Sequence, residues 1–286
     1  MTRCSAGSKV KTRRHRVVDG IQRLDAALAT RGLARSRTHA AKLIAGGLVS
    51  VDGTPVVKSS VQVTEGQGIT VADSDHYVSR AAHKLIAALD SFSVDPAGHL
   101  ALDVGASTGG FTQVLLERGA RHVIALDVGH GQLAASIRSD ARVTVVEGSN
   151  ARYMTAASLA ADGRTTEIPT LVVGDISFIS LTTVLPAIVA AVGLDADYVL
   201  LVKPQFEVGR TGIREGIVRD AGLRDDAVMG VLWAAWDLTL PTAGIIPSPI
   251  AGNSGNHEYV VWLSARLGSN PTEWTAQVSA ITANLS

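Results

Sequence analysis

Hydrophobic positions along the chain follow two different rhythms. Ile21, Leu24, Ala27 and Leu28 recur at helical spacing, and Ala40, Leu43 and Ile44 repeat the pattern after Ser36, a residue type that caps helices. Gly46 and Gly47 stop the second helix, and the stretches 48–51 and 54–57 flank Asp52-Gly53, a dipeptide favoured in tight hairpins. Residues 20–72 therefore predict a small α+β unit, and the short polar stretch 73–78 predicts a linker. From Ser79 onward, apolar runs at 100–104, 123–128, 143–146, 171–173, 198–202 and 259–263 alternate with helical stretches. Strands that are apolar along their whole length and separated by helices predict a parallel sheet covered on both faces. An α/β domain is expected over 79–268, with a C-terminal segment at 269–286. Trp233 and Trp236, three apart, are expected in the core of a helix.

Composition narrows the function classes. Net charge is zero, but residues 1–60 hold twelve Lys or Arg against three Asp, a net +9, so the remainder carries −9. A basic head on an acidic body suits a polyanionic partner, because Lys and Arg near phosphates release counterions. Residues 1–19 predict a basic, flexible extension. The single cysteine, Cys4, allows no internal disulfide and no cysteine-based metal site, and the scattered histidines lack metal-ligand spacing, so no metal is expected. A reducing, cytoplasmic setting fits, and the basic N-terminus has no apolar run behind it to make a secretory signal. The uncharged stretch 176–194 has the length of a membrane span, but its Ser, Thr and Pro residues favour a strand end followed by a buried helix. No stable membrane association is expected.

Within the first unit, Arg23-Leu24-Asp25, Arg31-Gly32-Leu33-Ala34-Arg35-Ser36-Arg37, Ala40, Leu43-Ile44, Gly47, Val49 and Val51-Asp52-Gly53 resemble an S4 RNA-binding domain. The resemblance implies that Arg23, Arg35, Arg37 and Lys42 contact RNA phosphates. Arg80 and His83, ahead of the first strand of the larger domain, are further RNA-contact candidates.

That first strand ends in Asp103-Val104-Gly105-Ala106-Ser107-Thr108-Gly109-Gly110-Phe111. A glycine-rich turn at the carboxyl edge of such a sheet lets backbone approach a ligand closely. Its G-x-x-x-G-G spacing departs from the dinucleotide fingerprint. It resembles motif I of class I methyltransferases, especially the ribose-methylating form, with Thr108 in place of proline. The resemblance implies a Rossmann-like fold and S-adenosyl-L-methionine bound by Asp103, Gly105, Ala106, Ser107, Thr108, Gly109, Gly110, Phe111 and Asp175. Asp127 lies 22 residues past Gly105 at the end of the second strand, where a carboxylate can accept the cofactor's ribose hydroxyls. Asn150, after the third strand, is placed to meet adenine.

Residues just past the fourth strand narrow the chemistry. Gly174-Asp175-Ile176-Ser177 stands where adenine-amine methyltransferases carry Asn/Asp-Pro-Pro-Tyr/Phe, and the only cysteine, Cys4, which would have to attack cytosine, lies in the basic extension. Lys84, Asp175, Lys203 and Glu258 instead resemble, in order, the Lys-Asp-Lys-Glu tetrad of ribose 2′-O-methyltransferases. That resemblance gives Lys203 the task of positioning and deprotonating a weakly acidic sugar hydroxyl. Asp175 and Glu258 would orient the lysines, and Lys84 would stabilise developing charge.

Taken together, Ser-Arg-Ala-Ala-His-Lys-Leu (79–85), Asp-Val-Gly-Ala-Ser-Thr-Gly-Gly-Phe-Thr (103–112), Gly-Asp-Ile-Ser-Phe-Ile-Ser-Leu (174–181), Val-Lys-Pro-Gln-Phe-Glu-Val-Gly (202–209) and Gly-Asn-His-Glu-Tyr (255–259) resemble the TlyA family. The resemblance implies 2′-O-methylation of cytidine in ribosomal RNA, with ribosomal subunits as partners, on the small subunit and for longer members the large one. The family also carries the label hemolysin. Two departures stand out: the extension before residue 20, and Ala81 where glycine is expected. A membrane-active hemolysin and a non-catalytic RNA-binding assembly factor are the alternatives; oligomeric state is not legible in the chain.

Overall fold

The computed structural model describes residues 21–34, 36–71, 76–209, 213, 215–252 and 255–283. The basic extension 1–19, Arg35, and residues 73–75 of the expected linker lie outside the described residues. The chain divides into two compact units, residues 1–75 and 76–286.

In the first unit, β1 (Gln22–Arg23) leads into α1 (Leu24–Thr30), followed by α2 (Arg37–Ala45), β2 (Val49–Val51), β3 (Thr54–Pro55), β4 (Gln62–Val63) and β5 (Ile69–Val71). Ile21 is not part of the first helix and is exposed. Ser36 does cap α2, its side chain accepting from the His39 N–H. The hairpin forms as expected: β2 pairs antiparallel with β3, and Asp52 and Gly53 both take positive φ, at 49° and 81°. Two left-handed residues give the turn whose twist matches the flanking strands. Leu24, Leu28, Ile44 and Val49 are fully buried and close the small core.

The second unit begins with α3 (Ala82–Phe92), then β6 (Leu100–Val104), α4 (Gly110–Glu117), β7 (His122–Asp127), α5 (Ala135–Arg138), β8 (Val143–Glu147), α6 (Ala156–Asp162) and β9 (Leu171–Gly174). It continues through α7 (Leu181–Val192), β10 (Asp197–Val202), α8 (Pro204–Glu207), α9 (Ala221–Asp237), β11 (Thr242–Pro247), β12 (Tyr259–Leu263) and α10 (Thr275–Ala283). The sheet has seven strands in the order β11-β12-β10-β9-β6-β7-β8, with apolar clusters on both faces.

Two features of that sheet correct the sequence reading. It is mixed, because β12 runs antiparallel to both β10 and β11. It also holds a strand that the pattern does not announce, β11. That edge strand contains Gly244, ends at Pro247 and has an irregular register after Thr242, all of which weaken a strand signal. In the stretch 176–194, the strand ends earlier, at Gly174, and residues from Asp175 to Ser180 form a loop before the buried helix α7. Among the described residues no helix is long and apolar enough to cross a membrane.

Trp233 and Trp236 are also corrected. They are 39% and 38% exposed, because α9 buries Ala227, Val228, Val231, Leu232 and Ala235 instead. The C-terminal α10 packs on α9, where the buried Arg224 guanidinium donates to the Thr282 carbonyl at 2.8 Å.

Candidate active site

Parallel strands place the loops that follow β6, β9 and β10 at one edge of the sheet. There they line a cleft of about 380 Å³ that extends from the glycine turn to Lys84, Asp175, Lys203 and Glu258.

Gly105 has φ +83°, and a Cβ there would lie 3.2 Å from the Asp175 carbonyl oxygen. The turn is thus free of a side chain where it meets the loop carrying Asp175. At Gly110, a Cβ would approach the Ser79 side chain to 2.9 Å. Its absence lets the segment leading into α3 press against the start of α4. Ala81 takes ordinary helical torsions, φ −56° and ψ −28°, so this position needs no glycine.

Four charged side chains from distant parts of the chain meet at the cleft floor. Lys84 Nζ lies 2.5 Å from Glu258 Oε2 and 3.4 Å from Asp175 Oδ2. Lys203 Nζ lies 2.5 Å from Asp175 Oδ1 as an ion pair without hydrogen-bond alignment, and donates to Ser177 Oγ at 2.7 Å. Lys84, Lys203 and Glu258 are all buried. Burial opposes ionisation of Asp175, but the Lys203 and Lys84 charges outweigh it and hold its carboxyl below the usual range. A chain of alternating charge, Glu258–Lys84–Asp175–Lys203, is the outcome. Buried charges of this kind persist only when each has a partner.

The turn residues have different surroundings. Ala106, Ser107, Thr108, Gly110 and Phe111 line the cleft with Gly105, and Gly109 packs on Leu133 and Ile137. Asp103 does not reach the cleft. It is fully buried beneath the turn, where Oδ2 accepts from Thr112 Oγ1 at 2.6 Å. Burial pushes its pKa up to about 7, against the Thr112 hydrogen bond and helped by the Asp175 charge. Asp127 holds the turn from the side: its oxygens accept from the Ser107 and Gly129 N–H groups at 2.8 and 2.7 Å. Asn150 is not brought to the cleft; it is exposed and caps a short turn by accepting from the Arg152 N–H.

Several cleft groups are absent from the sequence reading. Ser177 and Phe206 line the cleft, as does Phe178, which is 92% exposed with φ +68° and lies 5.5 Å, centroid to centroid, from Phe206. The Asn256 amide donates to the Gly216 carbonyl at 2.7 Å and accepts from the Val218 N–H at 3.0 Å. Glu207 accepts from Ser180 Oγ and from the Leu181 N–H, so the segment after Lys203 is tied to the loop after Asp175. These residues fall in the blocks Gly-Asp-Ile-Ser-Phe-Ile-Ser-Leu, Val-Lys-Pro-Gln-Phe-Glu-Val-Gly and, for Asn256, Gly-Asn-His-Glu-Tyr, which are the signal the sequence offers for them.

Of the expected RNA contacts, Arg80 lines the cleft and His83 packs edge-on against Tyr77 at 5.8 Å. In the first unit, the buried Asp25 carboxylate gathers Arg23 and Arg37, both at 3.1 Å, while the two arginine side chains stay 47% and 61% exposed. Lys42 is exposed and Arg35 lies outside the described residues.

The profile of FtsJ-like methyltransferases matches residues 77–265, and that of the S4 domain matches residues 22–69. The 16S/23S rRNA (cytidine-2′-O)-methyltransferase TlyA of Mycobacterium tuberculosis is 52% identical over 244 residues, covering 84% of this chain and 89% of that protein. This chain belongs to the TlyA family. The similarity extends to a relative of Brachyspira hyodysenteriae named Hemolysin A, 37% identical over 83% of this chain and 98% of its own length. A solved structure from Streptococcus thermophilus that carries the name hemolysin is 32% identical. It covers 93% of this chain and 96% of its own, with a TM-score of 0.71. The TlyA family assignment accounts for the pairing of an S4 domain with a Rossmann-like methyltransferase domain in one chain, and this chain is an enzyme of the methyltransferase class.

Proposed function

We propose that this chain transfers a methyl group from S-adenosyl-L-methionine to the ribose 2′-hydroxyl of a cytidine in ribosomal RNA, in 16S and also in 23S rRNA. The observation that carries this reading is the buried Lys84, Asp175, Lys203 and Glu258 cluster at the end of a glycine-lined cleft. A sugar hydroxyl is a very weak acid, and a cluster of two lysines and two carboxylates is suited to receive its proton and stabilise the oxygen. The 52% identity to a protein named for this reaction supports the same choice of substrate.

The cleft fits the cofactor on its own chemistry. The turn from Gly105 to Thr108 keeps its backbone close to the cleft, and Asp127 braces it through the Ser107 N–H. Residues Gly105, Ala106, Ser107, Thr108, Gly110 and Phe111 would hold S-adenosyl-L-methionine, which supplies an electrophilic methyl group. Asp103 supports the turn from below, and Asp175 borders both the turn and the lysines. Lys203 positions and deprotonates the hydroxyl, Lys84 stabilises charge on the oxygen, and Asp175 and Glu258 orient them. No metal enters this scheme.

Substrate capture involves both units. Arg23, Arg37 and Lys42, with Arg35, contact RNA phosphates, and Arg80 and His83 contact RNA near the cleft. Exposed Phe178, paired with Phe206, offers a face on which a nucleobase stacks. Ribosomal RNA as substrate makes the cytoplasm the site of action.

Transfer of a tritiated methyl group to ribosomal subunits tests the reading. The expected result is label in rRNA that disappears with Lys203→Ala, with the nucleotide mapped by mass spectrometry of rRNA from cells with and without the protein. Cofactor binding without transfer to any RNA would favour an assembly factor and overturn the proposal.

A further inference from the structure

Ser177 is exposed and lines the cleft beside Lys203, which is buried. Around Lys203 Nζ lie Asp175 Oδ1 at 2.5 Å, Ser177 Oγ at 2.7 Å and the Asp175 carbonyl oxygen at 3.5 Å. Two of these, Ser177 Oγ and the Asp175 carbonyl oxygen, accept hydrogen bonds from Lys203, while Asp175 Oδ1 pairs with it by charge alone. Lys84, likewise buried, faces Glu258 and Asp175. All four charged residues line the cleft as well, and of the two residues whose side chains touch Lys203, Ser177 is exposed while Asp175 is only partly so. A serine hydroxyl has one hydrogen and two lone pairs; accepting from Lys203 uses one lone pair and leaves a donor and an acceptor for a ligand.

The backbone holds Ser177 in this place. Phe178 has φ +68°, a left-handed conformation that costs a bulky residue energy, so the chain turns sharply just after Ser177. The far end of the loop is pinned where Ser180 Oγ and the Leu181 N–H meet Glu207, four residues beyond Lys203. The Ser177 hydroxyl and the Lys203 amine are thus held against each other by both segments that carry them.

We propose that Ser177 is a catalytic residue: its hydroxyl receives the substrate's 2′-hydroxyl and relays the proton to Lys203. This rests on the methyl-transfer reading of the site. For the transfer, Lys203 first gives up a proton to solvent and then accepts a hydrogen bond from Ser177 in place of donating one; the sugar O–H bond breaks and its proton passes to Ser177 Oγ, while the Ser177 proton passes to Lys203 Nζ. S-adenosyl-L-methionine, when bound, would supply the methyl group that the sugar oxygen takes up, the electron pair of the broken carbon–sulfur bond staying on sulfur. The positive charge lost from sulfur reappears on the Lys203 ammonium, which is thereby restored. Serine ends as it began.

The test compares Ser177→Ala, Ser177→Thr and Ser177→Val in the full-length chain. Ser177→Ala is expected to lower kcat on ribosomal subunits roughly 100-fold, as loss of a proton-transfer group does, with KM little changed. Ser177→Thr keeps the hydroxyl and should retain most of the rate, while its isostere Ser177→Val should not, a pair that reads the hydroxyl even if alanine disturbs the loop. A binding readout needs no turnover. With S-adenosylhomocysteine present, an RNA hairpin carrying the mapped cytidine should bind the wild-type chain about fivefold more tightly than the same hairpin with 2′-deoxyribose there, about what one hydrogen bond contributes. Ser177→Ala should erase that difference. Retained discrimination and rate in Ser177→Ala, with transfer still dependent on Lys203, would overturn the relay and leave the proposed reaction standing. A wild-type chain that methylates no RNA would overturn the reaction itself.

Discussion

Lys84 and Glu258 stand 174 residues apart in the chain and meet at 2.5 Å with both side chains nearly sealed from solvent. Removing one member of such a pair strands the other charge in a low-dielectric site and typically costs about 3–5 kcal/mol. Asp175, 3.4 Å from Lys84, offsets part of that loss. Glu258→Ala is therefore expected to lower the unfolding free energy by about 3 kcal/mol and to abolish methyl transfer. The double variant Lys84→Met, Glu258→Leu should regain most of the stability and none of the activity. Urea unfolding beside a transfer assay checks both; a double variant no more stable than Glu258→Ala would mean that the stranded charge is not the cause.

Phe178 sits on the surface in a strained conformation, which the packing of its own ring does not explain. Phe178→Gly should leave the melting temperature unchanged or raise it, since relief of a left-handed φ is worth about 1 kcal/mol. The same variant should lose roughly tenfold in kcat/KM on ribosomal subunits, the scale of one lost base-stacking contact. Full activity in a stable Phe178→Gly chain would remove stacking from the mechanism.

Asp103 makes stability depend on pH in an unusual direction. Its folded pKa of about 7 lies above the ordinary value of 3.8, so between those values the folded state binds more protons than the unfolded chain. Its contribution to stability is therefore full below about pH 4 and is lost as pH rises through about 7. Asp103→Asn cannot ionise, so its stability relative to wild type should improve by up to about 4 kcal/mol between pH 4 and pH 8. Unfolding of the two chains at both pH values measures the difference directly, and no change with pH would place Asp103 in a more polar setting.

Arginines in the first unit have separable tasks. Arg31 donates to the carbonyls of Gln67 and Thr64 at 2.7 and 2.8 Å and ties α1 to the turn before β5. Arg31→Ala should lower stability by about 1–3 kcal/mol. Arg23→Ala and Arg37→Ala should instead each reduce the slope of log K against log salt for RNA binding by about one, with little change in melting. Unchanged salt slopes in both would dissociate the Asp25-centred pair from RNA.

Local signals made much of this protein legible. The Asp52-Gly53 hairpin depends on torsions that only a few residue types adopt, and Ser36 caps its helix through its own hydroxyl. The six strands read from the sequence are there because long apolar runs have nowhere else to go. β11 escaped notice because its pairing with β12 compensates for Gly244 and Pro247, and pairing is not a local property. Trp233 and Trp236 misled for a related reason: helical spacing places two residues on one side of α9 but does not say which side the sheet covers.

By itself the sequence determined the division into an S4-like and a Rossmann-like unit, the glycine turn, and the identity of the four charged residues at the sheet edge. These follow from periodicity, torsional preference and residue chemistry, all carried within short stretches. Only the tertiary structure decided that Lys84, Asp175, Lys203 and Glu258 form one alternating chain of charge, that Asp103 is buried against Thr112, that Asn150 caps a turn outside the cleft lining, and that Ser177 meets Lys203 in the cleft. Burial and ion pairing are relations between segments far apart in the chain, and they take their values only when packing brings those segments together.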